Sequence, residues 1–368
     1  MANLLVTGGA GFIGANFVHY WREHHPNDGM VVLDALTYAG NRTSLAGLES
    51  LRFVHGDIRA TEIVSSLIRD HDIDTIVHFA AESHVDRSID GPDAFIDTNI
   101  TGTHSLLKAA KSEWLDRGSG RPHRFHHIST DEVYGSLGPD DPPFSELTPY
   151  APNSPYSASK AGSDHLVRAY HHTFGLQTTT TNCSNNYGPY QFPEKLIPLF
   201  LINCLTGKPL PIYGDGMNVR DWLYVKDHCR GIELVLDRGQ VGQTYNIGGG
   251  EELPNLTVID VICAAVDERF NADPALAARF PDAPAAKGQA SSSLKTFVTD
   301  RLGHDRRYAI DERKIQEELG YRPARDFKSG LAATVDWYLA HENWWRAVMD
   351  GSYRVWLERN YGSRATVG

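Results

Sequence analysis

Gly8-Gly9-Ala10-Gly11-Phe12-Ile13-Gly14 lies between a short apolar run, Leu4 to Val6, and an amphipathic segment that extends from Phe12 to about His24. A strand, a tight glycine turn and a helix in this order are typical of a dinucleotide-binding unit. Gly9 allows the turn, Gly11 lets the backbone approach a pyrophosphate, and Gly14 lets the helix pack on the strand. The free N–H groups at the start of the helix attract the phosphates.

The second apolar run supports this interpretation and predicts which dinucleotide is bound. Val31 to Leu33 is followed by Asp34, which lies 20 positions after Gly14. A carboxylate at this position accepts hydrogen bonds from the adenosine ribose hydroxyls and repels a 2′-phosphate. We therefore expect NAD as the cofactor rather than NADP.

The first half of the chain alternates apolar runs with helical patterns. Runs near 51–54, 75–80, 125–129 and 176–182 predict strands, and 99–111 and 156–174 predict helices. The pattern indicates an α/β fold, a Rossmann-type doubly wound parallel sheet with a smaller C-terminal substrate-binding lobe. We predict a Rossmann domain at 1–184, with a return around 220–248, and the smaller lobe mainly at 185–368. The segment 271–293, rich in Ala, Pro and Ser, is interpreted as a surface excursion.

Composition excludes several classes of function. A net charge of −11 argues against nucleic acid or an anionic membrane as a partner, and no apolar run reaches the length of a membrane span. The first strand begins so early that no cleavable signal segment fits before it. The four cysteines form no CxxC pair, which is typical of reduced thiols in a cytoplasmic protein. The histidine pairs lack carboxylates or cysteines at ligand spacing, so we predict no metal site.

The segment Tyr156-Ser157-Ala158-Ser159-Lys160 can carry a redox step. Ser154 is a predicted N-cap, Pro155 the first helical residue and Gly175 the stop, so Tyr156 and Lys160 lie on one helical face. A free tyrosine, with a pKa of about 10, is too weakly ionised to act as a base at neutral pH. A neighbouring ammonium and the positive nicotinamide favour the phenolate, which can then take a proton from a sugar hydroxyl.

Thr130-Asp131-Glu132 follows the predicted strand at 125–129, at the sheet edge where α/β proteins bind ligands. Adjacent acids after a strand can also be a solvated turn or a helix cap. Aimed into a cleft, however, one can stay protonated and donate while the other stays ionised and accepts. Elimination of water next to a transient ketone needs this division between an acid and a base.

With these segments, the chain resembles the dTDP-glucose 4,6-dehydratases, within the extended short-chain dehydrogenase/reductase group of nucleotide-sugar enzymes. The resemblance extends from residue 4 to about 340. Its further motifs are Ala80-Ala81-Glu82-Ser83-His84-Val85-Asp86-Arg87-Ser88, Asn185-Asn186-Tyr187-Gly188-Pro189-Tyr190, Pro193-Glu194-Lys195-Leu196-Ile197-Pro198, Tyr213-Gly214-Asp215-Gly216 with Arg220-Asp221-Trp222, and Gly303-His304-Asp305-Arg306-Arg307-Tyr308.

The resemblance implies a role for each matching residue. Asp131 is the implied proton donor, Glu132 and Tyr156 are proton acceptors, Lys160 is the partner of the tyrosine, and Thr130 contacts the sugar. The predicted NAD site consists of Gly8, Gly11, Phe12, Ile13, Gly14, Asp34, Asp57, Ile58, Ala80, Ala81, Ser83, Thr98, Tyr156, Lys160 and Asn186. The predicted nucleotide-sugar site consists of Ser83, Thr130, Asn185, Lys195, Leu196, Pro211, Tyr213, Arg220, Asn255, Arg301 and His304. A homodimer formed through the helices at 99–111 and 156–174 is also implied.

Other functions are compatible with parts of this pattern. Another NAD-dependent nucleotide-sugar dehydratase would share the site, and a 4-epimerase would share the NAD fold and the Tyr156–Lys160 pair. Epimerases usually have small residues where Asp131 and Glu132 stand. A non-catalytic NAD-binding regulator would have no reason to keep all four side chains.

Overall fold

The computed structural model describes residues 2–48, 51–118, 120, 122–300 and 305–349. Its strands are β1 (Asn3–Thr7), β2 (Gly29–Asp34), β3 (Arg52–His55), β4 (Thr75–His78), β5 (Arg124–Thr130), β6 (Thr178–Cys183), β7 (Asn185–Tyr187), β8 (Leu210–Tyr213), β9 (Val219–Tyr224), β10 (Thr244–Ile247), β11 (Glu252–Pro254) and β12 (Lys295–Val298). Its α-helices are α1 (Phe12–His24), α2 (Thr61–Asp70), α3 (Val85–Asp90), α4 (Asp93–Phe95), α5 (Thr103–Lys111), α6 (Pro155–Phe174), α7 (Leu196–Thr206), α8 (Val225–Arg238), α9 (Asn255–Ala272), α10 (Ala275–Arg279), α11 (Arg313–Leu319), α12 (Phe327–Ala340) and α13 (Glu342–Val348).

The largest sheet has seven strands in the order β10-β6-β5-β4-β1-β2-β3, and every neighbouring pair is parallel. The doubly wound parallel sheet predicted from the sequence is therefore confirmed. Because the strand order reverses direction between β1 and β4, a crevice opens outside the carboxyl ends of these two strands. The predicted site residues that follow β1, β2, β4 and β5 all lie at this edge.

Helices cover both faces of this sheet because its central strands are apolar on both sides. In β1, Leu4 and Val6 pack with Phe17 of α1 and Ile232 of α8 on one face. Leu5 points to the other face and packs with residues of α2, α5 and α6. Side chains of a strand alternate between the two faces, so a continuous apolar run supplies both layers.

Helix α6 begins and ends where local sequence chemistry predicts. Ser154 and Ser157 form a reciprocal capping box, Pro155 is the first helical residue, and Gly175 ends the helix with φ 76°. The predicted helix at 99–111 is divided, since Ile96–Gly102 is a π-helix and only Thr103–Lys111 is α-helical. No helix within the described ranges is both long and apolar enough to cross a membrane.

Outside the large sheet and the helices that cover it, the described residues form two small sheets and a hydrophobic core of their own, separate from the cores on the two faces of the large sheet. β11 and β7 flank β9, and β12 pairs with β8. α7, α9 and α12 pack around them. α8 and β10 rejoin the large sheet, and α11 does so too through Ile315 and Leu319, which the sequence did not indicate. The division of the chain at residue 184 stays a prediction.

The interpretation of 271–293 as a surface excursion is wrong in its central part. Leu276, Phe280 and Ala283 are buried in the same core as α9. The segment contains the short helix α10 and two 3-10 turns, Ala285–Lys287 and Ser291–Leu294. Its apolar residues are too widely spaced for a recognisable helical pattern, but they cover one side of α9.

Candidate active site

A cavity of about 520 Å³ lies along the carboxyl edge of the large sheet. Every residue of the predicted NAD site lines it: Gly8, Gly11, Phe12, Ile13, Gly14, Asp34, Asp57, Ile58, Ala80, Ala81, Ser83, Thr98, Tyr156, Lys160 and Asn186. The fold thus brings together residues that are separated by up to 178 positions in the chain, from Gly8 to Asn186. The residues predicted to bind the dinucleotide therefore share one cavity.

The glycine turn is tight because backbone atoms occupy the space that side chains would need. Gly8, rather than Gly9, has the left-handed conformation, with φ 70°. A Cβ on Gly14 would lie 2.2 Å from the carbonyl oxygen of Gly8, and one on Gly8 would lie 2.5 Å from the nitrogen of Ala80. Gly9 instead packs against Val32, to which a Cβ would come within 2.8 Å. Any side chain at Gly8 or Gly14 would push α1 away from β1 and β4.

Asp34 is buried at the end of β2 and is held by the backbone. Its Oδ2 accepts a hydrogen bond from the N–H of Ala10 at 2.9 Å, and its Oδ1 accepts one from the N–H of Leu36 at 2.8 Å. Burial raises the pKa of this carboxyl, and the two N–H donors oppose that effect. Each carboxylate oxygen keeps a second acceptor position, so Asp34 can still receive ribose hydroxyls.

Tyr156 and Lys160 lie one turn apart on α6, and both line the cavity. The Nζ of Lys160 donates to the backbone carbonyl of Ile128 at 2.7 Å, which holds the ammonium beneath β5. Burial lowers the pKa of Lys160, and the carboxyl of Asp164 opposes this.

The electrostatics of Tyr156 differ from the sequence expectation. Burial raises the pKa of its hydroxyl well above 10, the carboxylate of Glu132 raises it further, and a side-chain hydrogen bond with Thr130 opposes both effects. The sequence argument considered the ammonium and the nicotinamide charge but not desolvation. Because the site is buried, the phenolate depends on those positive charges more strongly than the sequence indicated.

The two neighbouring carboxyl groups have different environments. Thr130 ends β5, and Asp131–Tyr134 forms a 3-10 turn in which the Thr130 hydroxyl accepts from the N–H of Glu132 at 3.3 Å. Glu132 lines the cavity, whereas Asp131, which is 2 % exposed, is not among its lining residues. The expectation that both groups face one cleft agrees with the position of Glu132 and stays a prediction for Asp131.

Burial favours the protonated form of Asp131. Its pKa is raised well above the usual range by burial first, then by the charges of Glu132 and Asp221, while Arg220 opposes. Its Oδ2 has no hydrogen-bond partner among the described residues. A neutral buried acid with a free oxygen can donate a proton to a group that reaches it.

A second cavity of about 180 Å³ adjoins the first. It is lined by the predicted nucleotide-sugar residues Ser83, Asn185, Lys195, Leu196, Pro211, Tyr213, Arg220 and Asn255, while Thr130 lines the first cavity. Arg301 and His304 lie outside the described residues. Glu132 and Lys195 line both cavities, so a ligand in the second can extend to the carboxylate in the first.

Basic side chains in the second cavity suit an anionic ligand. Lys195 donates from its Nζ to the carbonyl of Ser83 at 3.1 Å. Arg220 lies 4.4 Å from the ring centre of Tyr308 and donates to the carbonyl of Asp305 at 2.8 Å. These contacts hold both cations at the cavity wall, where a pyrophosphate could bind.

Sequence reasoning missed an ion pair, with a buried carboxylate, that belongs to this site. Glu194 lines both cavities and lies 3.2 Å from the guanidinium of Arg87, which in turn lies 3.9 Å from the ring centre of Tyr38. Burial raises the pKa of Glu194, and the cations of Lys195 and Arg87 oppose this. Both members of the pair occur in motifs quoted above, but no local pattern predicted that they meet.

Within the described residues, no three His, Cys, Asp or Glu side chains are grouped as metal ligands would be. All four cysteines are buried and free.

Comparisons with known proteins agree on the family. The model of the family described as GDP-mannose 4,6 dehydratase matches residues 5–334. The chain is 54% identical, over 360 residues, to a dTDP-glucose 4,6-dehydratase of Xanthomonas campestris pv. campestris, covering 96% of this chain and 98% of that one. It is 51% identical, over 374 residues, to dTDP-glucose 4,6-dehydratase 1 of Escherichia coli, covering 98% and 99%.

Solved structures show the same fold. DesIV, a dTDP-glucose 4,6-dehydratase from Streptomyces venezuelae with NAD and TYD bound, is 49% identical, with a TM-score of 0.82 over 94% of this chain and 99% of that one. A UDP-glucose 4-epimerase from Thermotoga maritima with UDP-glucose is 26% identical, with a TM-score of 0.78 over 92% and 99%. Dehydratases and epimerases thus share this fold. The sequence identity of this chain is much higher to the dehydratase than to the epimerase.

Proposed function

The chain belongs to the family described as GDP-mannose 4,6 dehydratase, and from that premise we infer that it is an NAD-dependent dTDP-glucose 4,6-dehydratase. It oxidises C4 of the glucose, eliminates water across C5 and C6, and reduces C6, which yields dTDP-4-keto-6-deoxyglucose. One observation carries this inference: Tyr156, Lys160 and Glu132 line one cavity, with the buried acid Asp131 adjacent to Glu132. A 4-epimerase needs the first two groups but no acid and base for elimination.

The cavity fits NAD in two respects that the chain's own atoms show. A Cβ on Gly14 or Gly8 would collide with the backbone, which is the close packing that a pyrophosphate-binding turn requires. Asp34 presents a fixed carboxylate for the ribose hydroxyls and repels a 2′-phosphate. Bound NAD supplies the hydride acceptor for C4 and the hydride donor for C6.

Tyr156 and Lys160 act on the C4 hydroxyl. The phenolate of Tyr156 takes the hydroxyl proton as C4 is oxidised, and Lys160 stabilises that phenolate by its charge. Thr130, whose side chain hydrogen bonds to Tyr156, contacts the same hydroxyl. Because the product keeps its C4 ketone, the proton that Tyr156 takes is released to solvent at the end of the reaction.

Glu132 and Asp131 carry out the elimination. The ketone at C4 acidifies the C5 hydrogen, which the ionised carboxylate of Glu132 removes. The protonated Asp131 donates its proton to the departing C6 hydroxyl, so water leaves and a C5–C6 double bond forms. When C6 is reduced, Glu132 returns a proton to C5, and solvent reprotonates Asp131. Burial raises the pKa of Asp131 well above the usual range and so favours the protonated form that a proton donor needs.

The nucleotide diphosphate occupies the second cavity, with Lys195 and Arg220 on its phosphates. Asn185, Leu196, Pro211, Tyr213 and Asn255 surround the nucleoside. Arg301 and His304 complete this site by resemblance. We also propose that 1–184, with α8 and β10, forms the NAD-binding domain and that most of 185–368 forms the nucleotide-sugar lobe.

The test is turnover of glucose linked to dTDP, UDP, CDP and GDP, with detection of a 4-keto product. dTDP-glucose is expected to give the highest kcat/KM. With dTDP-glucose deuterated at C4, the product should carry deuterium at C6 and solvent hydrogen at C5. A product that keeps its C6 hydroxyl and has deuterium at C4 would instead identify an epimerase.

We further propose that the protein is a cytoplasmic homodimer. Support for dimerisation comes from Ile96, at the start of the π-helix, and Phe174, at the end of α6, each of which is 45% exposed. Phe174 lies on one of the two segments through which the resemblance implies dimer contact, and Ile96 belongs to the π-helix Ile96–Gly102, which overlaps the other. Sedimentation velocity of the wild type and of Ile96→Glu tests this, because a charge buried in the interface should convert the dimer to monomers.

The cytoplasmic location is supported by the four free, buried thiols, which are typical of a reducing compartment. Cell fractionation tests this location.

A further inference from the structure

Asp164 continues the functional face of α6 by one more turn. Tyr156, Lys160 and Asp164 are spaced by four residues, so the three side chains lie along one side of the helix. Asp164 is buried, yet the mechanism proposed above does not use it. A buried carboxyl is costly unless it is paired or hydrogen-bonded, which raises the question of what it does.

The contacts of Asp164 join α6 to the strand that ends in the elimination residues. Its Oδ1 lies 3.0 Å from the Nε2 of His127, and its Oδ2 accepts from the hydroxyl of Ser129 at 2.8 Å. Both partners are on β5, immediately before Thr130-Asp131-Glu132. The carboxyl therefore ties the helix that carries the oxidation pair to the strand that carries the acid and the base.

A third contact extends this connection to the turn itself. The hydroxyl of Tyr150 donates to Oδ2 of Asp164 at 3.0 Å. Asn182 on β6 donates to the hydroxyls of both Tyr150 and Tyr134, at 3.3 and 2.9 Å. Tyr134 closes the 3-10 turn that begins with Asp131. Asp164 is thus one end of a hydrogen-bonded chain that reaches behind the catalytic turn.

Asp164 is also the carboxyl that supports the charge of Lys160. Burial lowers the pKa of Lys160, and Asp164 is the first of the groups that oppose this, followed by Cys183 on β6. The other titratable groups near the ammonium are His78 on β4 and His127 on β5, whose pKa values burial holds well below 6.5, so they are neutral. His165, next to Asp164 on α6, lowers the pKa of that carboxyl slightly.

We propose that Asp164 is a positioning residue for the oxidation step: its carboxylate keeps Lys160 charged inside the protein, and its hydrogen bonds hold α6 in register with Thr130-Asp131-Glu132. This proposal rests on the proposed function, in which Tyr156 is the base and Lys160 its partner. Loss of the carboxylate removes the counter-charge of the ammonium, so the phenolate of Tyr156 loses its support. Loss of a single hydrogen bond leaves the charge in place.

The first experiment compares Asp164→Asn, which removes the charge and keeps the shape, with Tyr150→Phe, which removes one hydrogen bond and keeps the charge. The full chain with bound NAD is titrated by the near-ultraviolet absorbance of tyrosinate, and the signal absent from Tyr156→Phe is assigned to Tyr156. Asp164→Asn should raise the midpoint by about one pH unit, which is about tenfold less phenolate at a given pH. Tyr150→Phe should change the midpoint of the Tyr156 titration by less than about 0.3 pH unit.

The same variants are then mixed with dTDP-glucose, and formation of bound NADH is followed. Its rate should fall about tenfold in Asp164→Asn at a fixed pH, in parallel with the phenolate fraction. Equal shifts in both variants, or no shift in Asp164→Asn, would overturn the proposal. If the wild type formed no NADH from dTDP-glucose, the proposed function would fail, but the titration with NAD alone would still decide the role of Asp164.

A second measurement does not require Asp164→Asn to fold. Burial raises the pKa of Asp164 to about 6, and Lys160 opposes this, so Lys160→Met should raise it further. A carboxyl whose pKa in the folded state exceeds its unfolded value of about 3.9 stabilises the protein at low pH. That contribution is lost as pH rises through the folded pKa. The free energy of unfolding of Lys160→Met, relative to wild type, should therefore decrease from pH 5 to pH 8. A difference that is constant with pH would contradict the proposal.

Discussion

Asp131→Asn separates the elimination from the oxidation and tests the proposed function most directly. The change removes a transferable proton and keeps the size and neutrality of a side chain that is 2 % exposed. In the wild type, Oδ1 of Asp131 accepts a hydrogen bond from the Thr130 hydroxyl at 3.4 Å. The amide oxygen of asparagine can accept the same bond. We therefore expect the free energy of unfolding to change by less than about 1 kcal/mol.

The expected effect on catalysis is large and confined to one step. Removal of a positioned general acid typically slows its step by about 10²–10⁴-fold, which is about 3–5 kcal/mol at 1.36 kcal/mol per tenfold. Oxidation at C4 depends on Tyr156, Lys160 and NAD, which the change leaves in place. Bound NADH should therefore form at a rate close to that of the wild type and then persist, because reduction of C6 has to wait for the loss of water.

Stopped-flow absorbance of NADH after mixing with dTDP-glucose measures the first step, and release of the 4-keto-6-deoxy product measures the whole reaction. Glu132→Gln is the matched control, since it removes the base and leaves the acid. It should also accumulate NADH, but without exchange of the C5 hydrogen with deuterated solvent. If Asp131→Asn formed no NADH, or released product at the wild-type rate, the assignment of Asp131 as the acid for elimination would be refuted.

Four other outcomes follow from the same structure. Tyr156→Phe should slow NADH formation by about 10²–10⁴-fold and leave the Kd of NAD nearly unchanged, as stopped-flow and equilibrium binding measure. Asp34→Ala should weaken NAD binding by about 1.5–3 kcal/mol, which is the usual contribution of a hydrogen bond to a charged group. It should also bring the ratio of the Kd for NADP to the Kd for NAD closer to one. Gly14→Ala should abolish NAD binding, because its Cβ would lie 2.2 Å from a carbonyl oxygen, whereas Gly91→Ala, with its closest contact at 4.0 Å, should bind normally. Below pH 6.5 the Tm of the wild type should fall relative to that of His126→Gln, because burial keeps His126 neutral in the folded state while the unfolded state takes up its proton. The comparison cancels the opposite effect of Asp164, whose folded pKa is about 6.

Each of these has a result that would contradict its reasoning. If Tyr156→Phe formed the ketone at nearly the wild-type rate, Tyr156 would not be the base. An unchanged cofactor preference in Asp34→Ala would mean that the carboxylate does not contact the ribose. Equal NAD binding by the Gly14 and Gly91 variants would show that the turn can relax. A Tm difference between wild type and His126→Gln that is independent of pH between 5 and 7 would mean that the buried His126 does not contribute to acid stability.

Local sequence chemistry was sufficient for most of the elements in the first half of the chain. The apolar runs of β1 and β2, the glycines before α1 and the capping residues of α6 each act within a few positions of the chain. Turn, cap and periodicity rules depend on such short separations. The parallel sheet and the set of residues around the larger cavity could therefore be predicted, the latter with the help of the family resemblance.

Tertiary structure decided the properties that depend on distant partners. The burial of Asp131, the pairing of Glu194 with Arg87, and the contacts of Asp164 with β5 join residues that no local pattern connects. Desolvation, which dominates the pKa of Tyr156, is likewise a property of the packed interior. The sequence by itself thus determined which chemical groups are present and on which elements they stand, while their protonation and mutual orientation arose only when the sheet, the turn and α6 packed together.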